Sequence, residues 1–338
     1  MVTRLDTKLA NIRAGRYKPT DFIIADAKDP DAGGGVNATG FDYSVKPPRR
    51  RTRQEFIQQI VDIVEQDIVD IMLVTQSNLD LLDERGVFKN SAVKPAIRAN
   101  LETMCWAGVR HGTYAATPSV PFRDTNIERV IADYPNKGTD LGLYSCSFTN
   151  DVERDIRTLD AFAAFRAEAA AYKFKYFYEV FNPNVEIGLS REQTGEFLND
   201  HILKSLAGVP RAERPEFLKI PYNGPRALEE LASFDSELIV GVLGGGAGTT
   251  RDTFELVAQS EKYGGRLALF GRKINLAEAP LNLLVLMRAV ADGNIGPEEA
   301  VRAYHGELQT LGLTAVRPLA DDRVITEDVL KVAAVKAA

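Results

Sequence analysis

The chain has 338 residues, 45% apolar and 26% charged, with 41 Lys and Arg against 47 Asp and Glu, a net charge of −6. This balance is ordinary for a globular protein. It excludes disorder, collagen and coiled coil as the main state and argues against general nucleic-acid binding. Two cysteines, Cys105 and Cys146, do not make a disulfide framework and fit a reducing cytoplasm. No run of 18 apolar residues is present to span a membrane, and residues 1–18 carry charges every few positions rather than the apolar stretch of a secretory signal. His111, His201 and His305 are scattered and no HExxH or CxxC occurs, so no metal site is expected.

In chain order, DFIIADA (21–27) reads as a buried strand. RTRQEFIQQIVDIVEQ (51–66) places Phe56, Ile57, Ile60, Ile63 and Val64 at helical spacing. VDIMLVTQS (69–77) is a second strand, 90–108 reads as a helix started or kinked near Pro95, and VRHGTYAA (109–116) as a weaker third strand. TDLGLYSCSFT (139–149) is a fourth strand, followed by a long Ala-rich helix over 151–173. KYFYEVFNP (175–183), EFLKIPY (216–222), SELIVGVLGG (236–245) and GRLALFGRKI (265–274) are further strands, with helices over 191–208, 225–234, 250–263, 279–292 and 296–311.

Eight buried strands, with continuous rather than alternating apolar runs, are what parallel strands covered on both faces require. Their regular alternation with helices predicts an α/β fold, a (β/α)8 TIM barrel. An open doubly wound sheet is the other arrangement consistent with the pattern. No linker divides the chain, so one domain is expected over 1–338, with a barrel core of about 20–312, a tail over 313–338 and a long first βα loop. That loop, residues 28–53, is Gly-rich and then strongly basic. It reads either as a mobile surface loop or as a lid whose Arg50, Arg51 or Arg53 reaches an anionic substrate or a neighbouring subunit.

Lys219 lies inside the apolar strand EFLKIPY, and period-two alternation puts it on one face with Phe217 and Pro221, opposite Leu218 and Ile220. Pointing into a barrel, a lysine is pushed toward the neutral amine that attacks a carbonyl to form a Schiff base. The other reading is a lysine paired with a carboxylate or reaching solvent. Glu179 is similarly enclosed by Tyr178 and Val180 and is a structural ion-pair partner or a proton-exchanging group for Lys219. Asp26, next to Lys28 at the end of strand one, and Tyr144 in strand four are further candidates. The segment VLGGGAGTT offers glycine amides and a helix N-terminus, and FGRKIN brings Gly271 and Arg272 to the next strand end. Loops after strands seven and eight are the usual anion site of such a barrel. GGGAGT does not fit GxGxxG in register, and it has no P-loop lysine.

With these residues in this order, the chain resembles the class I (Schiff-base) aldolases of the archaeal fructose-bisphosphate and tagatose-bisphosphate type. The resemblance is carried most by YFYEVFNPN, EFLKIPYNGP, VLGGGAGTT and LFGRKINLAEAPLNLLVLMRAVADGNI. It implies a metal-independent lyase with Lys219 as imine-forming lysine, Glu179 as acid/base, Tyr144 as proton donor and Asp26 at the end of strand one. Gly244, Gly245, Gly271 and Arg272, with Lys28 nearby, would hold the anion of a ketose phosphate or related sugar. No cofactor is implied. From the sequence itself no nucleic-acid or membrane partner is expected and a cytoplasmic homo-oligomer is, with Leu281, Leu284 and Val285 as an apolar face that core packing explains equally well. The long first loop, the absence of a strand-four lysine and the extended GGGAGTT turn depart from the family at the mouth, where a sugar is read. A Schiff-base barrel performing acyl transfer or isomerisation, a nicotinamide-dependent oxidoreductase using the glycine cluster, and a non-catalytic sugar-phosphate-binding barrel are the competing readings.

Overall fold

A computed structural model describes residues 3–334, so the final residues of the expected tail, 335–338, lie outside the described residues. Eight parallel strands close into a barrel: β1 (Ile23–Lys28), β2 (Ile71–Val74), β3 (Lys94–Arg98), β4 (Leu141–Ser147), β5 (Lys175–Phe181), β6 (Phe217–Ile220), β7 (Ile239–Leu243) and β8 (Leu267–Phe270). β8 pairs with β1 to complete the ring. The expected (β/α)8 TIM barrel is therefore the fold, and the open sheet is not.

The strand pleat sorts side chains into two cores. Ile23, Ala25, Ile71, Leu73, Leu143, Phe177, Phe217, Ile239, Leu267 and Leu269 fill the barrel interior. Alternating residues such as Ile24, Met72, Tyr144, Tyr178, Leu218 and Phe270 face the surrounding helices. A first helix, α1 (Arg4–Arg13), begins with a Thr3–Asp6 capping box and lays Leu5 and Leu9 against the interior core, closing the end of the barrel where the strands start. Asp70 fixes it there. Its carboxylate accepts from Lys8 Nζ at 2.9 Å, from Arg4 Nε at 2.9 Å and from the amide of Ile24 at 3.0 Å, and it is fully buried.

Residues 90–108 were expected to be helical and 109–116 to be the third strand; the structure corrects both. The third strand is β3, and residues 103–108 form a 3-10 turn that leads into a loop. Pro95 does not break the strand because pairing of β3 with β4 begins only at Ile97. Its missing N–H falls where no ladder bond to β4 is made.

The helices that follow the strands in order are α2 (Asp31–Gly34), α3 (Arg53–Gln66), α4 (Gln76–Glu84), α5 (Ile127–Ile131), α6 (Val152–Ala171), α7 (Arg191–Ala207), α8 (Pro225–Phe234), α9 (Thr250–Lys262), α10 (Arg272–Asn275), α11 (Pro280–Ala291) and α12 (Pro297–Thr310). Leu284 of α11 is fully buried in the outer core and only Val285 beside it is well exposed, so Leu281, Leu284 and Val285 do not form one exposed apolar face. The C-terminal segment, with α13 (Leu319–Asp322) and α14 (Asp328–Ala334), folds back on α9. Both cysteines are free. No helix among the described residues is long and apolar enough to cross a membrane.

Asp70→Ala should therefore destabilise the protein by about 3–5 kcal/mol, because Lys8 keeps a buried charge without its partner. Urea denaturation of the variant measures this; an unchanged midpoint would mean that α1 is held by its leucines alone.

Candidate active site

The interior is apolar where the strands begin and turns polar where they end. Two residues beyond Ala96, Leu143, Phe177 and Phe217, on the same inward face, stand Arg98, Ser145, Glu179 and Lys219. The register places Ser145 level with Glu179, and Glu179 level with Lys219. Lys219 Nζ lies 2.6 Å from Glu179 Oε1. Arg98 donates from Nη1 to Glu179 Oε2 at 3.0 Å and to Ser145 Oγ at 3.1 Å, and from Nε to Asp29 Oδ2 at 2.7 Å. Burial opposes the charge on Arg98, but Asp29 and Glu179 outweigh it and raise its pKa above the ordinary guanidinium value. The result is a chain of alternating charge, Asp29–Arg98–Glu179–Lys219, almost closed to solvent: Lys219 is 5% exposed and Glu179 1%.

The first and third loops cover this end. α2 packs on the 103–108 turn so closely that a Cβ on Gly108 would stand 2.9 Å from the carbonyl oxygen of Gly33. Asp31 of α2 accepts from Thr75 Oγ1 at 2.9 Å, which ties the first loop to the end of β2. Arg51 points its guanidinium at the carbonyl of Asn275 and Arg53 bonds Asn78, so both serve the chain itself rather than an incoming anion. A cavity of about 510 Å³ opens beside Arg98, between Asp31, Thr75, Asp80, Thr125 and Arg129. A larger cavity, about 820 Å³, lies at the opposite end, around Arg13, Lys175, Arg214 and Glu216. Chemistry in such barrels sits at the strand C-termini, which favours the smaller cavity.

Three of the sequence candidates are not in the interior. Tyr144 is on the outer face of β4, its ring stacked on Phe165 at 4.5 Å, its hydroxyl buried without a hydrogen-bond partner and its pKa raised by burial. Ser145, one residue on, takes the inward position. Asp26 and Lys28 also face outward: Asp26 is level with Met72 and Phe270, both in the outer core. The two form a fully buried ion pair at 3.4 Å. Burial, opposed by Lys28, lifts Asp26 to about 6, and burial lowers Lys28. The acid that does reach the mouth from the end of β1 is Asp29.

Gly244 and Gly245 follow β7, and Gly271 and Arg272 follow β8, as expected. Gly244 permits close packing, since a Cβ there would stand 3.1 Å from the ring of Phe270, and Gly245 has a φ of +65°. The start of α9, however, is already occupied. Thr249 and Asp252 form a capping box, and the amide of Thr250 donates to Asp322 Oδ1 at 2.8 Å. The positive end of this helix is satisfied by the chain's own carboxylate and adds nothing to an external anion site. Arg272 makes no ion pair among the described residues, and none there form a cluster of three or more His, Cys, Asp or Glu able to hold a metal ion.

Arg98, Asp29, Ser145 and Glu102 belong to this site but were not singled out from the sequence. Reading KPAIR as helix hid the alternation that puts Ala96 and Arg98 inward. Glu102, fully buried, accepts from Ser147 Oγ at 2.5 Å, and its pKa is raised to about 7 by burial.

No family model matches the chain, and no curated protein matches it. Its likeness to solved structures is one of fold. An archaeal fructose-1,6-bisphosphate aldolase, solved with its catalytic lysine covalently bound to the carbinolamine intermediate, has a TM-score of 0.60 at 14% identity, over 84% of this chain and 100% of that one. A fructose-bisphosphate aldolase of Slackia heliotrinireducens has a TM-score of 0.64 at 12% identity, over 93% and 94%. A protein of Corynebacterium glutamicum has 0.57 at 17%, over 86% and 93%. The structural neighbours thus include archaeal, Schiff-base-forming class I aldolases, and what is shared at these identities is the (β/α)8 barrel.

The Asp26–Lys28 pair gives a test of its outward, structural placement. Asp26→Ala alone should cost about 3–5 kcal/mol, whereas Asp26→Val with Lys28→Met should recover most of that stability. Because Asp26 binds its proton more tightly folded than unfolded, the proton-linked part of its contribution is full below about pH 4 and is lost as pH rises through 6. Denaturation midpoints across this window would show a steeper decline in the parent than in the double variant, in which the raised pKa of Glu102 still contributes.

Proposed function

We propose that the chain is a class I lyase that makes or breaks a carbon–carbon bond of a ketose phosphate or similar anionic sugar through an imine on Lys219, and that it works as one barrel domain. The observation that carries this reading is the contact of Lys219 with Glu179 at the polar end of an otherwise apolar barrel. A lysine needs to lose a proton before it attacks a ketone, and Glu179 stands at 2.6 Å to receive it. The same proton, returned to the hydroxyl of the carbinolamine, lets water leave and the iminium form. Arg98 holds Glu179 by its other oxygen, so the carboxylate stays aimed at Lys219 while it gains and loses the proton.

The iminium then draws electrons from the bond two carbons away, which breaks once the hydroxyl on its far carbon is deprotonated. An aldehyde leaves, and the enamine takes a proton and is hydrolysed from Lys219. For the anion of the substrate, Gly244, Gly245, Gly271 and Arg272 at the ends of β7 and β8 are the proposed binding groups. Amides 245–248 make no hydrogen bond among the described residues and are available to it.

Borohydride added with dihydroxyacetone phosphate or a panel of ketose phosphates should leave a reduced adduct on Lys219, read by intact mass and peptide mapping. Lys219→Ala should give no adduct and lose turnover by about 10³-fold or more. A folded protein that gives no adduct with any of these ketones would make Lys219 a structural ion-pair residue.

A further inference from the structure

Cleavage needs a group that takes the proton of the substrate hydroxyl, and the groups nominated from sequence do not supply it. Tyr144 and Asp26 point away from the interior. Glu179 is committed to the lysine: Oε2 accepts from Arg98, and Oε1, with no hydrogen-bond partner, lies in ion-pair contact with Lys219. A third loop delivers another carboxyl group. After β3, Asn100 clasps the backbone of Ser145, accepting from its amide at 2.6 Å and donating to its carbonyl at 2.8 Å. Leu101–Glu102 then pairs antiparallel with Pro121–Phe122, which turns the loop back over the barrel end. Glu102 is thereby pressed against Ser147, with Oε2 accepting from Ser147 Oγ and Oε1 buried with no partner.

The height of this carboxyl group matters. Ser145, Glu179 and Lys219 are level, and Ser147 is two residues further along β4, about 6.6 Å toward the mouth. Below Lys219 the interior is closed by Leu143, Phe177 and Phe217. A substrate held on Lys219 Nζ has to extend toward the mouth, past Ser147. Glu102 is bonded to Ser147 at this height, and its orphaned buried carboxyl oxygen is costly unless something bonds to it.

We infer that Glu102 is the group that exchanges the proton of the substrate hydroxyl as the carbon–carbon bond breaks or forms, an inference that rests on the imine reading above. In cleavage, the Glu102 carboxylate takes the hydroxyl proton, the oxygen's electrons form the aldehyde carbonyl, and the electrons of the broken bond pass to the iminium to give the enamine. Delivered to the enamine carbon after the aldehyde departs, the same proton restores the carboxylate. Burial raises Glu102 to about 7, its bond from Ser147 lowers it, Glu179 raises it again and Arg98 lowers it; Cys105 also feels its charge from the mouth, and Tyr144 and Cys146 feel it from the outer face of β4. A group that changes charge near neutrality suits exchange in both directions.

The test separates imine formation from proton exchange. Wild type and Glu102→Gln are compared for borohydride trapping with dihydroxyacetone phosphate and for exchange of its carbon-bound proton with D2O by NMR. Fructose 1,6-bisphosphate cleavage is the third readout. Glu102→Gln should trap on Lys219 as wild type does, lose exchange and cleavage by about 10²–10⁴-fold, and lose the limb of the pH–rate profile near 7. Ser147→Ala should keep the trapping and move that limb to higher pH, since it removes a bond to the ionised form. Exchange and pH limb unchanged in Glu102→Gln, or trapping lost together with exchange, would overturn the inference while leaving Lys219 in place. Absence of any adduct in wild type would overturn the imine reading and this one with it.

Discussion

Four charges share one water-poor enclosure, and their order decides what the barrel does with them. Asp29, Arg98, Glu179 and Lys219 alternate in sign, so each charge lost to solvent is met by a neighbour between 2.6 and 3.0 Å away. An isolated ion in this position would carry a desolvation penalty of several kcal/mol. The constraint reaches outward from there. Arg98 and Glu179 have to come from β3 and β5, on either side of β4, and Ser145 of β4 bridges them by accepting from Arg98. Asp29 has to be brought over the mouth by the first loop, whose α2 is itself held by Thr75 and the 103–108 turn. Closure of the loops and neutrality of the site are thus the same requirement met twice.

The opposite flank of the mouth is stabilised differently. There the chain satisfies itself. Asp252 accepts from Thr249, Thr326 and Glu327, Asp322 bonds the start of α9 and His305, and Lys273 reaches Glu327 at 2.8 Å. The C-terminal segment read from sequence as a tail is the clasp that fixes the loop after β7, which carries Gly244 and Gly245. It does so by using the helix end that the sequence suggested was open to an anion.

Much of the barrel was legible because burial on both faces leaves continuous apolar runs, and a charge inside such a run is conspicuous. Glu179 and Lys219 stood out for that reason, and alternation around Lys219 gave its direction. Tyr144 and Asp26 were misplaced because the same alternation was not carried across their strands: Leu143 and Ala25 are interior residues, so their successors face the helices. β3 was illegible because a proline and two charges in KPAIR mask a five-residue strand. Glu102 lay beyond reach for another reason. Its placement comes from a two-residue pairing across nearly twenty residues of loop, and no local period encodes that.

The pleat has a further consequence for how such a site can change. On a strand, the inward positions recur every second residue, so the lysine of β6 has a small set of allowed addresses. A single-residue insertion upstream in that strand would not shift its ammonium slightly; it would send it into the layer occupied by Leu218 and Ile220, among α7 and α8. New sites on this frame are therefore reached by exchanging side chains at existing inward addresses, or by re-shaping the loops above them, and not by sliding the strands.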